Sequence, residues 1–596
     1  MTVTAHMENN DPVGAALVRT ATRFRQLAAR RRLRDAEVEE IALLFANAAH
    51  LLAYTEGNQR HLGPSRPLHS SWQRLFADPE TDVALLALLE SSMCTKDAAE
   101  RTRRELLSWL GERARSRETP TIAQVVAGYR QAQDALDCVD EAQAALLERI
   151  GLRTRGAAPA AVFSKAVGTM AEPSTREKLV HAWEAVRARN TGPVLEQLDE
   201  VLRIRREQAR TAGTCSVVEQ TLVRSAVDEA QAAAFIDAYL ERAVEGTARL
   251  ATRIRETVGA AQHPLAHFNA YARTVVGEAT LPTFPLDGCL DYLSVVTQES
   301  LGIDLTPLAS DRQCEHLVLG TNGGRVIGVA SFDLIRTPPS GSGVMPGAGP
   351  VNAAARADRT GISVTLPEAR VLCRYQYDVQ GRPVVTFASL HSMLHEFGHV
   401  VNHWLLGRHA PSDTGLDYLP IERIEDLSSW FEKWAYHPRL AEHLQLSAKD
   451  TAGLEICTRV KKLEFRSADL DRAVVAALDF EVHRQESGGY ADSFRRLERD
   501  FQLGGLCRLG SVAGFLMSPL CRAYPGASFA YLWGAAFGAQ AFAPWMRTGP
   551  GGRAPAWTDR SLDSCFDPDA PSETPELDPL FRFYNVSYDA SGEPCL

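Results

Sequence analysis

The segment FASLHSMLHEFGHVVNHWLL, Phe387 to Leu406, carries the five most informative residues of this 596-residue chain: His395-Glu396-Phe397-Gly398-His399. On a helix, residues i and i+4 share a face, so His395 and His399 point their imidazoles at one place. Two neutral imidazoles suit a zinc ion, and a third protein ligand leaves a fourth position for a water whose pKa falls towards 7. Glu396 can bring its carboxylate to that water as general base. A chance match on a polar helix is the rival explanation, but this helix is otherwise apolar. Burying two histidines and a glutamate there is costly unless they are put to use. His391 and His403 continue the four-residue spacing. Neither is followed by Glu, so both read as flanking residues or outer neighbours of the ligands.

The third ligand decides the subclass. A metzincin needs Gly at 402 and His at 405, whereas the chain has Asn402 and Leu405. That leaves a glutamate from a second helix, and YLPIERIEDLSSWFEKWAYHP (Tyr418 to Pro438) offers Glu422, Glu425 and Glu432. Pro420 before the helical pattern and Trp430, Phe431 and Trp434 within it favour a packed helix over an acidic solvated face. Glu425 and Glu432 lie two turns apart on one face, so one can bind the metal while the other orients a ligating His.

HEFGHVVN followed about thirty residues later by RIEDLSSWFEKW resembles the thimet oligopeptidase and neurolysin family of zinc oligopeptidases. That family shows HEFGH and then a helix of the type F-x-E-x-P-S-x-x-x-E-x-W. Aligned on the shared Glu, Ser, Glu and Trp, the resemblance implies Glu425 as third zinc ligand, with Ser428, Glu432 and Trp434 matching the rest. GRVIGVASFDL (Gly324 to Leu334) and ISVTLPEARVLCRYQYDVQGRPVVT (Ile362 to Thr386) are similar to the family's strands ahead of the metal helix. AYPGASFAYLW (Ala523 to Trp533) is similar to its tyrosine segment, which implies Tyr524 and Tyr531 near the scissile carbonyl as oxyanion donors. There are departures. Pro519 falls at or near the position of a family His, Ser528 replaces a further tyrosine, and TPPSGSGVMPGAG follows the first strand instead of an Arg-x-Gly-Lys stretch.

The resemblance implies a mainly α fold: a large two-lobed helical metallopeptidase with a deep central channel and a small β-sheet beside the zinc helix. Residues 1–310 form a helical N-terminal region making much of one channel wall, and 311–596 the catalytic region. It implies one Zn²⁺ per chain and metal-assisted hydrolysis of amide bonds in short peptides. The departures motivate an alternative: a dedicated zinc enzyme acting on one peptide-like metabolite or precursor peptide in a biosynthetic pathway. A non-catalytic binding protein with the same fold would have no need of Glu396.

The rest of the chain fits this frame. Helical periodicity runs through Ala15–Arg31, Ala36–Thr55, Ile122–Ile150, Arg176–Arg210 and Val227–Val258, with a loop at Asn58–Ser71 and a break at Pro282–Gly288. Strands are expected at Gly324–Leu334, Ile362–Thr365 and Val371–Tyr377, closed by a turn at Asp378–Pro383, with a Pro/Gly/Ser-rich loop at Pro338–Gly349. The uncharged stretch Ala527–Met546 is rich in Ala and Gly and reads as a buried helix, not a membrane span. After Arg547 the chain reads as irregular until Leu580. With 64 basic against 74 acidic residues the net charge is −10, which argues against a nucleic-acid partner. The start MTVTAHMENNDP lacks a secretory pattern, and the 11 dispersed cysteines, with no CxxC, fit reduced buried thiols in the cytoplasm. A monomer or weak homodimer, away from membranes, is expected.

Overall fold

The amphipathic periods of the first half become long helices: α1 (Thr121–Arg149), α2 (Pro173–Ala212), the short α3 (Val217–Leu222) and α4 (Glu229–Val258). Their ends follow local chemistry. Asp228 and Gln231 form a reciprocal capping box that starts α4, satisfying amide donors the helix cannot satisfy itself. The apolar stripe of α4, with Phe235, Tyr239, Leu250 and Ile254, is buried, and α4 packs on α8 (Ala448–Arg484). One core runs from Tyr129 to Tyr584 and draws residues from both sides of position 310. This computed structural model describes the helix Pro79–Glu90 and scattered positions between residues 22 and 107. It then describes 121–595 except 153–157, 224, 260–261, 309–314, 337–347, 350–354, 359–360, 365–367, 407–418, 519–520, 523, 548–571, 585–586 and 589–593. The loop expected at Asn58–Ser71, Pro519, and most of the Pro/Gly/Ser-rich loop lie outside the described residues, as do parts of the first two expected helices.

The expected break at Pro282–Gly288 is where strand β1 (Thr283–Pro285) ends and α5 (Leu286–Leu301) begins. The sheet that follows is larger than the sequence suggested. Its strands are β1, β2 (Ile303–Leu308), β3 (Glu315–Asn322), β4 (Arg325–Arg336), β5 (Ala348–Gly349), β8 (Glu368–Tyr377) and β9 (Pro383–Thr386), in the order β1-β9-β8-β4-β3-β2 with β5 beside β8. Among the described strands only β4 and β8 pair in parallel. The expected strand at 362–365 forms part of a separate hairpin, β6 (Ala355–Asp358) with β7 (Gly361–Val364). The turn into β9 is as expected, with Asp378 accepting the Gln380 and Arg382 amides.

Two helices and this sheet position the site. Helix α6 (Phe387–Leu406) lies against the sheet through Trp404, whose ring fills the space that Cβ atoms at Gly320 of β3 and Gly328 of β4 would need. The Trp404 indole donates to the Val329 carbonyl at 3.3 Å, and Phe332 stacks on Phe397 at 5.9 Å. On its other side α6 packs on α7 (Asp426–Glu432), which is covered in turn by α9 (Ala530–Arg547). Trp430 and Trp434 interlock with Phe542 and Trp545 at centroid distances of 5.0–6.3 Å. Burial of each such ring contributes about 1.5–3 kcal/mol, which offsets the polar groups buried beside them. Helix α9 is thus the buried core helix expected at 527–546. No helix among the described residues is long and apolar enough to cross a membrane.

Candidate active site

Helix α6 presents His395 and His399 one turn apart, with ring centroids 5.2 Å from each other. Facing them is Glu425, at the N-terminal boundary of α7 after a single 3₁₀ turn (Ile421–Arg423). Its Oε2 lies 3.4 Å from Nε2 of His395 and 3.4 Å from Nε2 of His399. The three atoms lie within 4.8 Å of one another, so one cation could touch all three. Glycine at two positions makes this approach possible. A Cβ at Gly398 would stand 2.5 Å from Ser428 Cα, and one at Gly534 of α9 would stand 2.8 Å from the Glu425 carbonyl carbon.

Each ligand candidate has an outer partner. Ser428 donates its hydroxyl to Glu425 Oε2 at 2.6 Å. Glu432 Oε2 lies 3.0 Å from His395 Nδ1, leaving Nε2 turned towards Glu425. The other Glu432 oxygen accepts from Lys433 Nζ at 2.5 Å and from the Tyr584 hydroxyl at 3.1 Å. Lys433 is fully buried, with its ammonium over the rings of Phe583 and Tyr584. Sequence reasoning missed Lys433 and Tyr584. A lysine between aromatic residues in WFEKW was the available signal for the first, and nothing local signalled the second.

The remaining glutamate candidate resolves differently. Glu422 is buried and accepts from Ser225, the Ala226 amide and Ser572, as an anchor between segments distant in sequence. His391 packs edge-on against Tyr436, 3.9 Å from Glu432, and burial pushes its pKa down to about 3. His403 is buried in the last turn of α6, outside the three-residue group.

The electrostatics favour a cation. Burial opposes charge on His395, yet the Glu432 hydrogen bond and the charges of Glu425, Glu432 and Glu396 hold its pKa at about 9. Burial likewise opposes ionisation of Glu425, but His399, His395 and the Ser428 hydroxyl hold it at about 2. Glu396 is half-buried on α6 beside His395. Tyr531, three residues before Gly534 on the same face of α9, is 43% exposed, and burial followed by the charge of Glu425 pushes its phenol up. Tyr524 is partly buried against the main core. Two imidazoles, a carboxylate oxygen and outer carboxylate support make the donor set of catalytic zinc sites, so these residues fit that ion.

Comparison with known proteins gives the family and the fold. The family model described as Peptidase family M3 matches residues 168–552, more than half of the chain. The organellar (chloroplastic/mitochondrial) oligopeptidase A of Arabidopsis thaliana is 22% identical over 322 residues, which are 50% of this chain and 40% of that protein. The "Probable cytosolic oligopeptidase A" of the same plant is 25% identical over 147 residues, 23% of this chain and 21% of its own length. The chain therefore spans less than half the length of these curated relatives. In fold, it is similar to a solved PZ peptidase A with a bound inhibitor, at a TM-score of 0.55 and 14% identity, over 97% of this chain and 93% of that one.

Proposed function

The chain belongs to peptidase family M3, and on that premise we propose that it is a zinc-dependent hydrolase of amide bonds in short peptides. The observation that carries this reading is the convergence of His395, His399 and Glu425, with Glu432 holding the outer nitrogen of His395. When bound by those three residues, zinc would supply a Lewis acid for the carbonyl and lower the pKa of a water. Glu396 takes the proton of the attacking water and passes it to the leaving amine. Tyr531, or Tyr524, donates its hydroxyl to the carbonyl oxygen as negative charge develops there, a contribution of about 3 kcal/mol. Glu432 fixes the tautomer and orientation of His395, and Ser428 holds the carboxylate of Glu425.

In this reading residues 1–310 supply much of one wall of a peptide-sized channel and 311–596 the catalytic region. The protein works in the cytoplasm as a monomer or weak homodimer, with neither nucleic acid nor membrane as partner. Purified full-length protein is expected to carry about one zinc per chain and to cleave a library of short quenched peptides. Chelation should abolish the cleavage and zinc restore it. Zinc bound with no peptide cleaved would replace the broad oligopeptidase with the dedicated enzyme. No zinc in the native protein and none taken up would sink both.

A further inference from the structure

The turn that delivers Tyr531 is held from behind by a buried polar chain with no part in the reaction described above. Residues 524–528 lead into α9, and the Tyr531 amide donates to the Ser528 carbonyl at 3.3 Å, so Ser528 sets the first turn of that helix. Asp479 of α8 gathers the turn. Its Oδ2 accepts from the Gly526 amide (3.1 Å), the Ser528 amide (3.2 Å) and the Ser528 hydroxyl (2.8 Å). Its Oδ1 lies 3.1 Å from His483 Nδ1, which also reaches the Asp479 carbonyl at 2.8 Å. His483 Nε2 lies 3.3 Å from Arg205 of α2, and Arg205 donates further to the carbonyls of Cys521 (3.4 Å) and Arg522 (2.6 Å). Asp479 and His483 are 1% exposed, Ser528 4% and Arg205 7%.

Buried ionic networks add little net stability compared with apolar packing, and what they provide is a fixed geometry. Here the bonds of both Asp479 Oδ2 and the Arg205 fork end on the segment that carries Tyr524 and enters the helix of Tyr531. Ser528 stands where the resembled family has a further tyrosine, and its hydroxyl is turned back onto Asp479. We propose that Asp479, Ser528 and Arg205 are positioning residues that fix the Tyr531 hydroxyl opposite Glu425 and Glu396, an inference that rests on the hydrolysis proposed above. Because Arg205 comes from α2, the placement of a donor in the site depends on a helix of the N-terminal region.

The test compares kcat and KM of zinc-loaded Tyr531→Phe, Ser528→Ala and the double variant on the best-cleaved library peptide. Tyr531→Phe should lower kcat about 100-fold, as loss of one oxyanion donor does. Ser528→Ala should lower it about 10-fold with KM within about twofold, because a donor misplaced by a fraction of an ångström loses part of its effect. The double variant should be no slower than Tyr531→Phe alone, since an absent hydroxyl cannot be misplaced. Ser528→Thr, which keeps the hydroxyl, should recover the rate. Losses that multiply in the double variant, or a Ser528→Ala enzyme of normal kcat beside a crippled Tyr531→Phe, would overturn the positioning role. Normal kcat in Tyr531→Phe would sink the role of the tyrosine and this proposal with it, leaving the zinc reading intact. Should no peptide be cleaved, the ¹³Cζ resonance of Tyr531, assigned by its loss in Tyr531→Phe, is the readout. It should move in Ser528→Ala and in Asp479→Asn, and a resonance that stays put refutes the proposal.

Discussion

Replacing Gly398 with alanine tests whether close helix packing builds the metal site. The added Cβ would stand 2.5 Å from Ser428 Cα and 2.6 Å from both the Leu427 oxygen and the Ser428 nitrogen. All three are backbone atoms, so no side chain can swing aside. Carbon atoms settle at about 3.5–4.0 Å, so α6 and α7 must part by about 1 Å. Overpacking of this kind costs about 1–3 kcal/mol, against a helix-propensity gain for Gly→Ala of about 1 kcal/mol. The larger effect falls on the ligands. Glu425 rides on the displaced segment, and its 3.4 Å spacings to His395 and His399 would open together. Metal sites tolerate only about 0.2 Å of error in ligand distance, so zinc affinity should fall about 10–100-fold. Competition against a chromophoric chelator measures that affinity, and urea unfolding of the metal-free protein measures the packing cost. A Gly398→Ala protein with wild-type zinc affinity and an unchanged urea midpoint would refute the reasoning.

Glu396→Gln keeps the shape of the side chain and removes the base. Peptide cleavage should drop about 10²–10⁴-fold while zinc content stays the same, and retention of most of the activity would disprove the assignment. Lys433→Met strips Glu432 of the ammonium 2.5 Å from its Oε1. Glu432 would keep only His395 and the Tyr584 hydroxyl as partners, so loss of the buried ion pair should cost up to about 3–5 kcal/mol in urea unfolding, part of it recovered in Lys433→Met/Glu432→Gln, and a neutral single variant would count against the ion pair. In the metal-free protein, His395 has its pKa raised from 6.5 to about 9. The stability this contributes is fully present below pH 6.5 and is lost as pH rises through 9, at most about 3 kcal/mol. Zinc needs the neutral imidazole, so uptake near pH 7.5 should release about one proton from His395, read by calorimetry in buffers of different ionisation enthalpy. His395→Ala abolishes the release, and zinc uptake with no proton released would show that His395 is already neutral.

Local patterns were legible in the sequence. The i, i+4 pair His395/His399 needed only a helix, and α1, α2 and α4 announced themselves by amphipathic period, within three residues at each end. Glu425 was only one of three candidates until the resemblance singled it out, and the helical argument behind it was partly wrong. Periodicity put Glu425 and Glu432 on one face of a single helix, whereas α7 spans only Asp426–Glu432 and Glu425 lies at its boundary. The two carboxylates reach His395 from opposite sides, at Nε2 and Nδ1. The sheet was half legible. Strand β2 is mostly exposed and contains Pro307, β3 contains the glycine that admits Trp404, and neither alternates cleanly enough to stand out. Tyr584, Asp479 and Arg205 were beyond reach because the partners that give them their roles are set by tertiary packing, up to 317 positions away in sequence, whereas Lys433 bonds its own neighbour Glu432 and WFEKW carried its signal.

The size of the chain follows from these outer contacts. The proposed zinc ligands and base need only His395 to Glu425, yet their bonded supports reach Tyr584, and the polar chain behind the turn before Tyr531 reaches Arg205. Three carboxylates crowd one imidazole, and in a low-dielectric interior each polar atom left unpaired costs more than a surface bond contributes. Lys433 and Tyr584 therefore stand behind Glu432, Ser428 behind Glu425, and Asp479 behind the turn that carries Tyr531. These supports sit on α7, the 3₁₀ turn Lys433–Tyr436 that follows it, α8 and the residue after the helix Leu577–Phe583, with Arg205 reaching in from α2. A smaller helical bundle could present the HEFGH helix and its glutamate, but it would leave those groups without partners. On the positioning role proposed above, α2 acts through Arg205 on the geometry of the site, besides any part it plays in walling the substrate.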